Sequence, residues 1–192
     1  MELKLLRPDQ LSRVYNRDLR RAFPAAEMKS LWLLRRLMDK GYYRPYACFE
    51  GDEIIGEAFL WTGRPGWAML DYLCVVPGRR NDGLGQKIQL ALREAEPGTV
   101  FVGEAEEPAD APDPGLAERR LGFYHRFGWR DSGYEADIFS AHYRCLYLAD
   151  REIPPEELME QHNFIYRTGL SPKQCRRFIR IPPEPGYQTP AR

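Results

Sequence analysis

The sequence lacks the features that mark several large classes of protein. Its 192 residues contain four widely spaced cysteines and three scattered histidines, without a CxxC pair or a His–Cys cluster, so neither a metal site nor a redox dithiol is predicted. GxSxG and HExxH motifs are absent, which argues against the common hydrolases. No apolar run is longer than "YLCVV", which is far too short to span a bilayer, and "MELKLLRPDQ" lacks the apolar core of a signal peptide. We therefore expect a cytoplasmic protein with free thiols.

The chain also lacks an excess of either charge. Lys plus Arg and Asp plus Glu both number 28, so the formal net charge is zero. No whole-surface field then favours nucleic acid or an anionic membrane, and we predict neither as a partner. The basic stretch "KQCRRFIRI" near the C-terminus is the one feature that favours nucleic acid. Its alternation is more typical of an exposed strand or a lid.

What the chain does have is the patterning of one mixed α/β domain, with 43% hydrophobic and 12% aromatic residues. Apolar periodicity and Gly/Pro breaks predict a strand, two helices, three strands, a helix, a strand, a helix, two strands and a further helix. The predicted strands cover about residues 2–6, 44–50, 53–62, 67–76, 99–106, 129–139 and 141–149. The predicted helices cover about residues 8–19, 26–40, 84–95, 116–128 and 154–168. The strand, helix, strand unit from 67 to 106 implies a parallel pairing.

The stretch "VVPGRRNDGLGQKIQ", residues 75–89, places two glycines at a turn from strand to helix. Backbone N–H groups at the start of a helix bind phosphate well, and Gly83 and Gly85 carry no side chain to block the approach. Arg79 or Arg80 can add charge-assisted contacts to phosphate oxygens. The spacing fits neither a P-loop nor a Rossmann turn. An ordinary helix start with exposed arginines is the alternative.

Three motifs in order resemble the GNAT superfamily of acyl-CoA-dependent N-acetyltransferases. Residues 80–85, "RNDGLG", match its pattern Arg/Gln-x-x-Gly-x-Gly/Ala, and "MLDYLCVVPGRR" resembles the strand before that motif. "ERRLGFYHRFGWR" resembles the next helix of the family, with its Phe-Tyr-x-x-x-Gly-Phe hallmark. The resemblance implies a mostly antiparallel central sheet of about seven strands flanked by helices, over residues 1–148. Residues 149–181 are an extension, expected to be helical and then extended, and residues 182–192 are expected to be disordered.

The same resemblance implies acetyl-CoA as cosubstrate and a site for it. In the family the turn holds the pyrophosphate, while the backbone of the preceding strand pairs with the pantetheine arm beside a bulge. Carried over by position, Leu73 and Val75, with Cys74 between them, would bind the arm, and the Leu73 N–H would polarise the thioester carbonyl. The residues assigned to the pyrophosphate are Arg79, Arg80, Asn81, Asp82, Gly83, Leu84, Gly85 and Gln86.

Acyl transfer needs an acid for the departing thiolate and a base for the amine. Tyr124 occupies the family's position for the acid and also contacts the cofactor; a core aromatic on an amphipathic helix is the alternative. Glu104 is the leading candidate for the base, with Asp71 and Glu57 as rivals. A carboxylate that merely ends a strand is the alternative for Glu104.

The resemblance predicts transfer of an acetyl group to a primary amine of a small molecule or peptide by direct attack on the thioester. An inactive acyl-CoA-binding regulatory or interaction module is the alternative. The acidic stretch from Glu104 to Asp113 would attract an aminoglycoside, a polyamine or a lysine side chain, unless it is only a solvated loop. Asp82 and Ala117 depart from the family pattern, which leaves open weaker binding of the cofactor or an acyl group other than acetyl. A monomer and a homodimer both remain open.

Overall fold

A computed structural model describes residues 1–25, 27–80, 82–139 and 141–182. The predicted position Asn81 and the predicted tail beyond residue 182 lie outside these residues, as does Ala26. The chain divides into two compact units, the second of which begins at Val100. Both units combine strands with helices, and every ladder described within them is antiparallel. The prediction of a mixed α/β, mostly antiparallel fold is confirmed, with eight strands among the described residues.

The first unit contains a meander of four strands, paired in chain order. Its strands are β1 (Glu2–Leu5), β2 (Tyr43–Glu50), β3 (Glu53–Thr62) and β4 (Trp67–Val75). Its helices are α1 (Pro8–Val14), α2 (Arg20–Ala22), α3 (Leu31–Asp39) and α4 (Leu84–Ala95). A turn of π-helix, Tyr15–Leu19, joins α1 to α2.

The start predicted for the second helix, near residue 26, is wrong. The helix α3 begins at Leu31 because the Ser30 hydroxyl accepts a hydrogen bond from the Leu33 amide (3.2 Å) and caps it. Its end agrees with the prediction, since Lys40 is the cap and Gly41 follows with φ +77°.

The second unit pairs its strands in the order β5, β7, β6, β8. These strands are β5 (Val100–Glu106), β6 (Arg130–Ile138), β7 (Ala141–Leu148) and β8 (Ile179–Arg180). The helices are α5 (Pro114–Phe127), α6 (Pro155–Gly169) and α7 (Pro172–Phe178).

The basic stretch near the C-terminus differs from the strand or lid that its alternation predicted. Most of it forms α7, because Ser171 and Gln174 make a reciprocal capping box and Pro172 occupies the first turn. Only Ile179 and Arg180 are extended, and they pair with β6. No helix among the described residues is long and apolar enough to cross a membrane.

Candidate functional site

The glycine turn between β4 and α4 has the geometry that its sequence predicts. After Val75 the chain makes a short 3-10 turn, Pro77–Arg79, and Gly83 then adopts φ +70° immediately before the helix. That left-handed conformation favours glycine. The Lys87 amide donates to the Gly83 carbonyl (3.2 Å), which is the first hydrogen bond of the helix. The amides of Leu84, Gly85 and Gln86 come before it and have no carbonyl partner in the helix. The turn therefore presents backbone donors at the positive end of α4.

A second glycine, Gly56 in β3, lies where the side chain of Ile88 from α4 packs. A Cβ at Gly56 would lie 2.5 Å from Ile88 Cδ1 and 2.9 Å from the Cys74 carbonyl oxygen. The Ile88 side chain thus packs directly on the backbone of β3, an approach that no larger residue at position 56 permits without displacement. This contact packs α4 against β3, next to its partner strand β4.

The two arginines of the turn have partners within the first unit. The Arg79 guanidinium donates to both carboxylate oxygens of Glu50 (2.7 and 3.2 Å), which raises its own pKa and lowers that of Glu50. Arg80 Nε donates to the Val75 carbonyl (3.3 Å). Asp82 is exposed. Both arginines lie at the turn, with Arg79 already engaged by an exposed carboxylate.

The strand β4 contains a bulge, as the resemblance implies. In the ladder with β3, Tyr72 pairs with Phe59 and Leu70 with Leu60, so Asp71 is the extra residue. Beyond it Leu73 lies opposite Ala58, and Val75 opposite Gly56. The predicted pantetheine-binding backbone therefore follows the bulge directly.

The Asp71 carboxylate is occupied. Lys29 Nζ lies 2.6 Å from one oxygen and the Tyr43 hydroxyl donates to the other (2.5 Å), and the Asp71 side chain is only 1% exposed. Lys29 also lies over the rings of Trp61 and Tyr72. Both oxygens of this buried carboxylate are therefore engaged within the first unit, which fits a structural role.

Glu57, the other rival, has a different environment. It lies opposite Cys74 in the β3–β4 ladder, its side chain is completely buried, and its Oε2 accepts a hydrogen bond from the Cys74 thiol (2.7 Å). Burial and the nearby Asp18 carboxyl raise the pKa of Glu57 to about 7. The Cys74 thiol and Arg17 act in the opposite direction but do not offset this rise. Burial and Glu57 raise the pKa of the Cys74 thiol in turn, so that it stays a neutral donor. A carboxyl that titrates near neutral pH can take and release a proton.

This environment predicts that Glu57→Gln changes stability in a pH-dependent way. The Glu57 carboxyl has a pKa of about 7 in the folded protein, against an ordinary value of 4.5. Its buried site favours the neutral form, so the parent loses stability as this carboxyl ionises with rising pH. We expect the variant to exceed the parent by about 3 kcal/mol in unfolding free energy at pH 8, and by little at pH 4.5. Urea titrations at both pH values measure this difference. Glu94→Gln, on the exposed surface of α4, is the control, and an equal effect of Glu57→Gln at both pH values would contradict the assignment.

Glu104, the predicted base, belongs to a buried network in the second unit. Its Oε1 accepts a hydrogen bond from the Tyr166 hydroxyl (2.7 Å) and lies 2.9 Å from His162 Nε2, while His162 Nδ1 lies 3.0 Å from the Tyr134 hydroxyl. His162 and Tyr166 are completely buried. They were missed from sequence, where their only signal is a spacing of four on the predicted helix α6. The extension beyond residue 148 thus supplies two of the contacts to Glu104.

Tyr124 lies on α5 and is half-buried. Its ring packs edge-on against Trp129 (5.3 Å between centroids), and burial raises the pKa of its hydroxyl. No described side chain hydrogen-bonds that hydroxyl. A Cβ at Gly103 would lie 2.7 Å from Trp129, and because neighbours on a strand point to opposite faces, Glu104 points away from Trp129.

Several carboxylates of the acidic stretch from Glu104 to Asp113 have partners within the chain. Glu106 pairs with Arg120 (2.8 Å), Glu107 pairs with Arg144 (2.8 Å), and Asp113 caps α5 by accepting from the Leu116 amide (3.0 Å). Charges paired in this way attract an incoming cation weakly. The structure therefore gives little support to the acidic stretch as an attractor of polycations.

The chain is similar to known proteins at the level of structure. No family profile matches the sequence, and no curated protein does. A solved structure assigned to the GNAT family of acetyltransferases, from Bacteroides thetaiotaomicron, is similar, with a TM-score of 0.69 and 21% identity over 89% of this chain and 100% of that one. An aminoglycoside 6'-N-acetyltransferase complexed with coenzyme A has a TM-score of 0.56, 14% identity, and coverage of 80% and 99%. A GNAT-like decarboxylase in complex with isobutyryl-CoA has a TM-score of 0.58, 19% identity, and coverage of 79% and 100%.

These similar structures include acetyltransferases and a decarboxylase, and they share one architecture. Each is covered almost completely by this chain, so the likeness extends over a whole domain. The glycine turn before α4 and the bulge in β4 are the features that the sequence resemblance implied for that architecture. The chain therefore has the fold of the GNAT-family acetyltransferases.

Proposed function

We propose that this protein is an acyl-CoA-dependent N-acetyltransferase that acts on a primary amine of a small molecule or peptide. The proposal depends mainly on one observation, the turn at Gly83. This turn leaves the first backbone amides of α4 outside the helical hydrogen-bond pattern, at the end of a bulged strand in a GNAT fold. The complexes of similar structures with coenzyme A and with isobutyryl-CoA support an acyl-CoA as the ligand of this turn.

The residues of the turn suit a pyrophosphate. The amides of Leu84, Gly85 and Gln86 point out of the start of α4 and can donate to phosphate oxygens, where the helix dipole adds to the attraction. Arg80 supplies a guanidinium beside them, and Arg79 can exchange its exposed Glu50 partner for phosphate. Asn81 and Asp82 complete the assigned segment.

The strand and the next helix supply the remaining roles. The backbone of residues 73–75 would pair with the amides of the pantetheine arm, and the Leu73 N–H would donate to the thioester oxygen as charge develops there. The Tyr124 hydroxyl, which burial keeps protonated, would donate its proton to the departing thiolate. Glu104 stays the base that the sequence predicts, with its carboxylate oriented by His162 and Tyr166.

Binding of acetyl-CoA is the first test. A ligand that binds only the folded state stabilises it by about 2.7 kcal/mol at 100 times its dissociation constant, which for a chain of this size raises Tm by roughly 5–10 °C. We expect that shift with acetyl-CoA and with CoA, and a much smaller one with adenosine. An unmoved Tm together with no heat of binding would refute the proposal.

Turnover separates the two candidate functions. Release of CoA thiol in the presence of a panel of amines, amino acids, peptides and aminoglycosides supports the enzyme. Tight binding of acetyl-CoA without turnover of any acceptor would instead favour the regulatory or interaction module.

A further inference from the structure

The last part of the chain carries an excess of positive charge that the whole sequence does not show. Residues 161–183 contain five Arg and Lys residues and no Asp or Glu, whereas the net charge of the chain is zero. The five are Arg167, Lys173, Arg176, Arg177 and Arg180, and all of them are exposed. The neutral total therefore conceals a local basic surface.

The helix α7 brings three of these cations together. Lys173, Arg176 and Arg177 are spaced by three and four residues, so their side chains share one face of the helix. We call these three residues the basic face. The segment that follows is anchored in the core, because Ile179 and Ile181 are buried. The basic face is thus presented to solvent by an element that packs on the second unit.

The cations of the basic face are not compensated by carboxylates of the chain. The ion pairs of arginines in the second unit engage Arg120, Arg144 and Arg151. Within the part of the chain that the structure describes, neither the basic face nor Arg167 forms an ion pair. The acidic residues of α6 lie in its first two turns, whereas Arg167 lies in its last turn. These four charges are therefore available to a ligand.

Two carboxylates of β6 lie near the fifth cation, and both are engaged. Asp137 is opposite Arg180 in the ladder of β6 with β8, and its Oδ1 lies 2.8 Å from His142 Nδ1. Glu135 Oε2 lies 3.2 Å from His142 Nε2. Because Asp137 is its neighbour across the ladder, we do not count Arg180 in the basic surface.

An exposed aromatic ring borders the basic face. Phe139, in the turn after β6, has φ +49°, a conformation that a bulky residue rarely adopts, and its amide donates to the Phe178 carbonyl (2.8 Å). The two rings stack with 5.2 Å between centroids, and the Arg177 guanidinium lies 5.0 Å from the Phe178 ring. The Phe139 side chain nevertheless stays 39% exposed. A strained backbone thus holds a ring in solvent beside the cations.

The chain itself offers little to cover this surface. Residues 183–192 contain one glutamate and one arginine, so they add no net charge. Glu106 and Glu107 of the acidic stretch are already paired with arginines. A second copy that used the same surface would bring the same cations. The surface is therefore complementary to a separate ligand with several negative charges.

The combination of groups indicates the class of that ligand. Guanidinium and ammonium groups bind phosphates, and an exposed aromatic ring is a platform on which an unpaired base stacks. An acidic peptide would use the cations but not the ring. A membrane surface would need a wider apolar area than one pair of rings provides.

We propose that the basic face, Arg167 and the Phe139–Phe178 pair form a binding surface for single-stranded nucleic acid. The cations neutralise phosphates, and Phe139 stacks on an unpaired base. The surface uses none of the residues assigned to acetyl-CoA, so it is a function in addition to acyl transfer. It replaces the expectation, based on zero net charge, that nucleic acid is not a partner, because a short strand responds to local charge.

Fluorescence anisotropy of the full chain with a labelled single-stranded DNA of about 12 nucleotides tests the proposal. Each phosphate contact contributes about −0.7 to the slope of log K against log salt for a single strand, so three or four contacts give roughly −2 to −3. The affinity should then fall by about 20- to 50-fold between roughly 50 and 200 mM salt. Annealing the strand to its complement should weaken binding, because paired bases cannot stack on Phe139.

Two variants separate the charge from the ring. Combining Lys173→Gln, Arg176→Gln and Arg177→Gln should reduce the steepness of the slope by about 2 and lower the affinity at least 10-fold at low salt. Phe139→Leu keeps an apolar side chain but removes the stacking surface, so it should lower the affinity by about 5- to 100-fold and leave the slope unchanged.

The matched control combines Arg20→Gln, Arg36→Gln and Lys40→Gln, which removes three exposed cations of the first unit and should change neither quantity. Saturating acetyl-CoA should not displace the strand. Absence of binding at about 50 mM salt, or equal slopes in the parent and the basic-face variant, would reject the proposal. Displacement by acetyl-CoA would move the strand to the glycine turn. Equal binding of a polyglutamate peptide, or binding to phosphatidylserine vesicles alone, would overturn the ligand class.

Discussion

Replacing Tyr124 with Phe should lower kcat by about 10²- to 10⁴-fold, with little change in the affinity for acetyl-CoA. The substitution keeps the ring and its edge-on contact with Trp129 but removes the proton that the thiolate would receive. General acid catalysis is typically worth about this factor, and because a CoA thiolate is a fair leaving group we expect the lower end of the range. The measurement is steady-state kinetics with an acceptor found in the amine panel, beside calorimetry with acetyl-CoA.

Tyr147→Phe is the matched control, since Tyr147 is another tyrosine of the second unit, buried on β7. It should leave kcat within about 2-fold of the parent. Full turnover by Tyr124→Phe would return Tyr124 to the role of a core aromatic and leave the acid to water or to another side chain.

Gly83→Val should weaken acetyl-CoA binding by about 10²- to 10⁴-fold. Valine is strained at φ +70° and its branched side chain would stand where the pyrophosphate meets the backbone. The loss corresponds to about two hydrogen bonds to a charged group, at roughly 1.5–3 kcal/mol each. Gly85→Val should act in the same direction, because it crowds the first turn of α4.

Gly66→Val controls for backbone strain. Gly66 has φ +81° and open space around its Cα, so valine there carries a similar conformational cost at a turn far along the chain from the proposed site. Both variants should lose stability, whereas only Gly83→Val should lose acetyl-CoA. Equal affinities in the parent and in a folded Gly83→Val protein would place the cofactor elsewhere.

The parts of the fold that could be predicted from sequence are those fixed by local chemistry. The helix α4 begins at Leu84 as predicted, because Gly83 directly before it has a left-handed conformation that the helix cannot include. The end of α5 at Gly128, with φ +100°, follows from the same preference. The start of α3 was predicted too early because apolar residues at helical spacing also occur before Ser30. The helix begins after Ser30 because this residue caps it.

The chemistry of the site was less predictable, because it depends on partners distant in sequence. Asp71, Glu57 and Glu104 could not be ranked as bases from the sequence. The structure separates them: Asp71 is paired with Lys29, Glu104 is held by a helix of the extension, and Glu57 is buried beside a thiol and a second carboxyl. The parallel pairing expected of β4 and β5 stays a prediction.

The GNAT fold also hosts other chemistry, since one similar structure is a decarboxylase. Function must therefore be argued from the site. In this protein every proposed step requires the backbone of the glycine turn, whichever carboxylate is the base and whichever amine is the acceptor.

The most direct test of that requirement is the exchange of backbone amide hydrogens in the full chain, with and without acetyl-CoA. We expect saturating acetyl-CoA to slow exchange at Leu84, Gly85 and Gln86, because their N–H groups become hydrogen-bonded to phosphate. The Gly83→Val protein should show no such protection at the same concentration of acetyl-CoA. Unchanged exchange at these three amides in a chain that demonstrably binds acetyl-CoA would contradict this expectation.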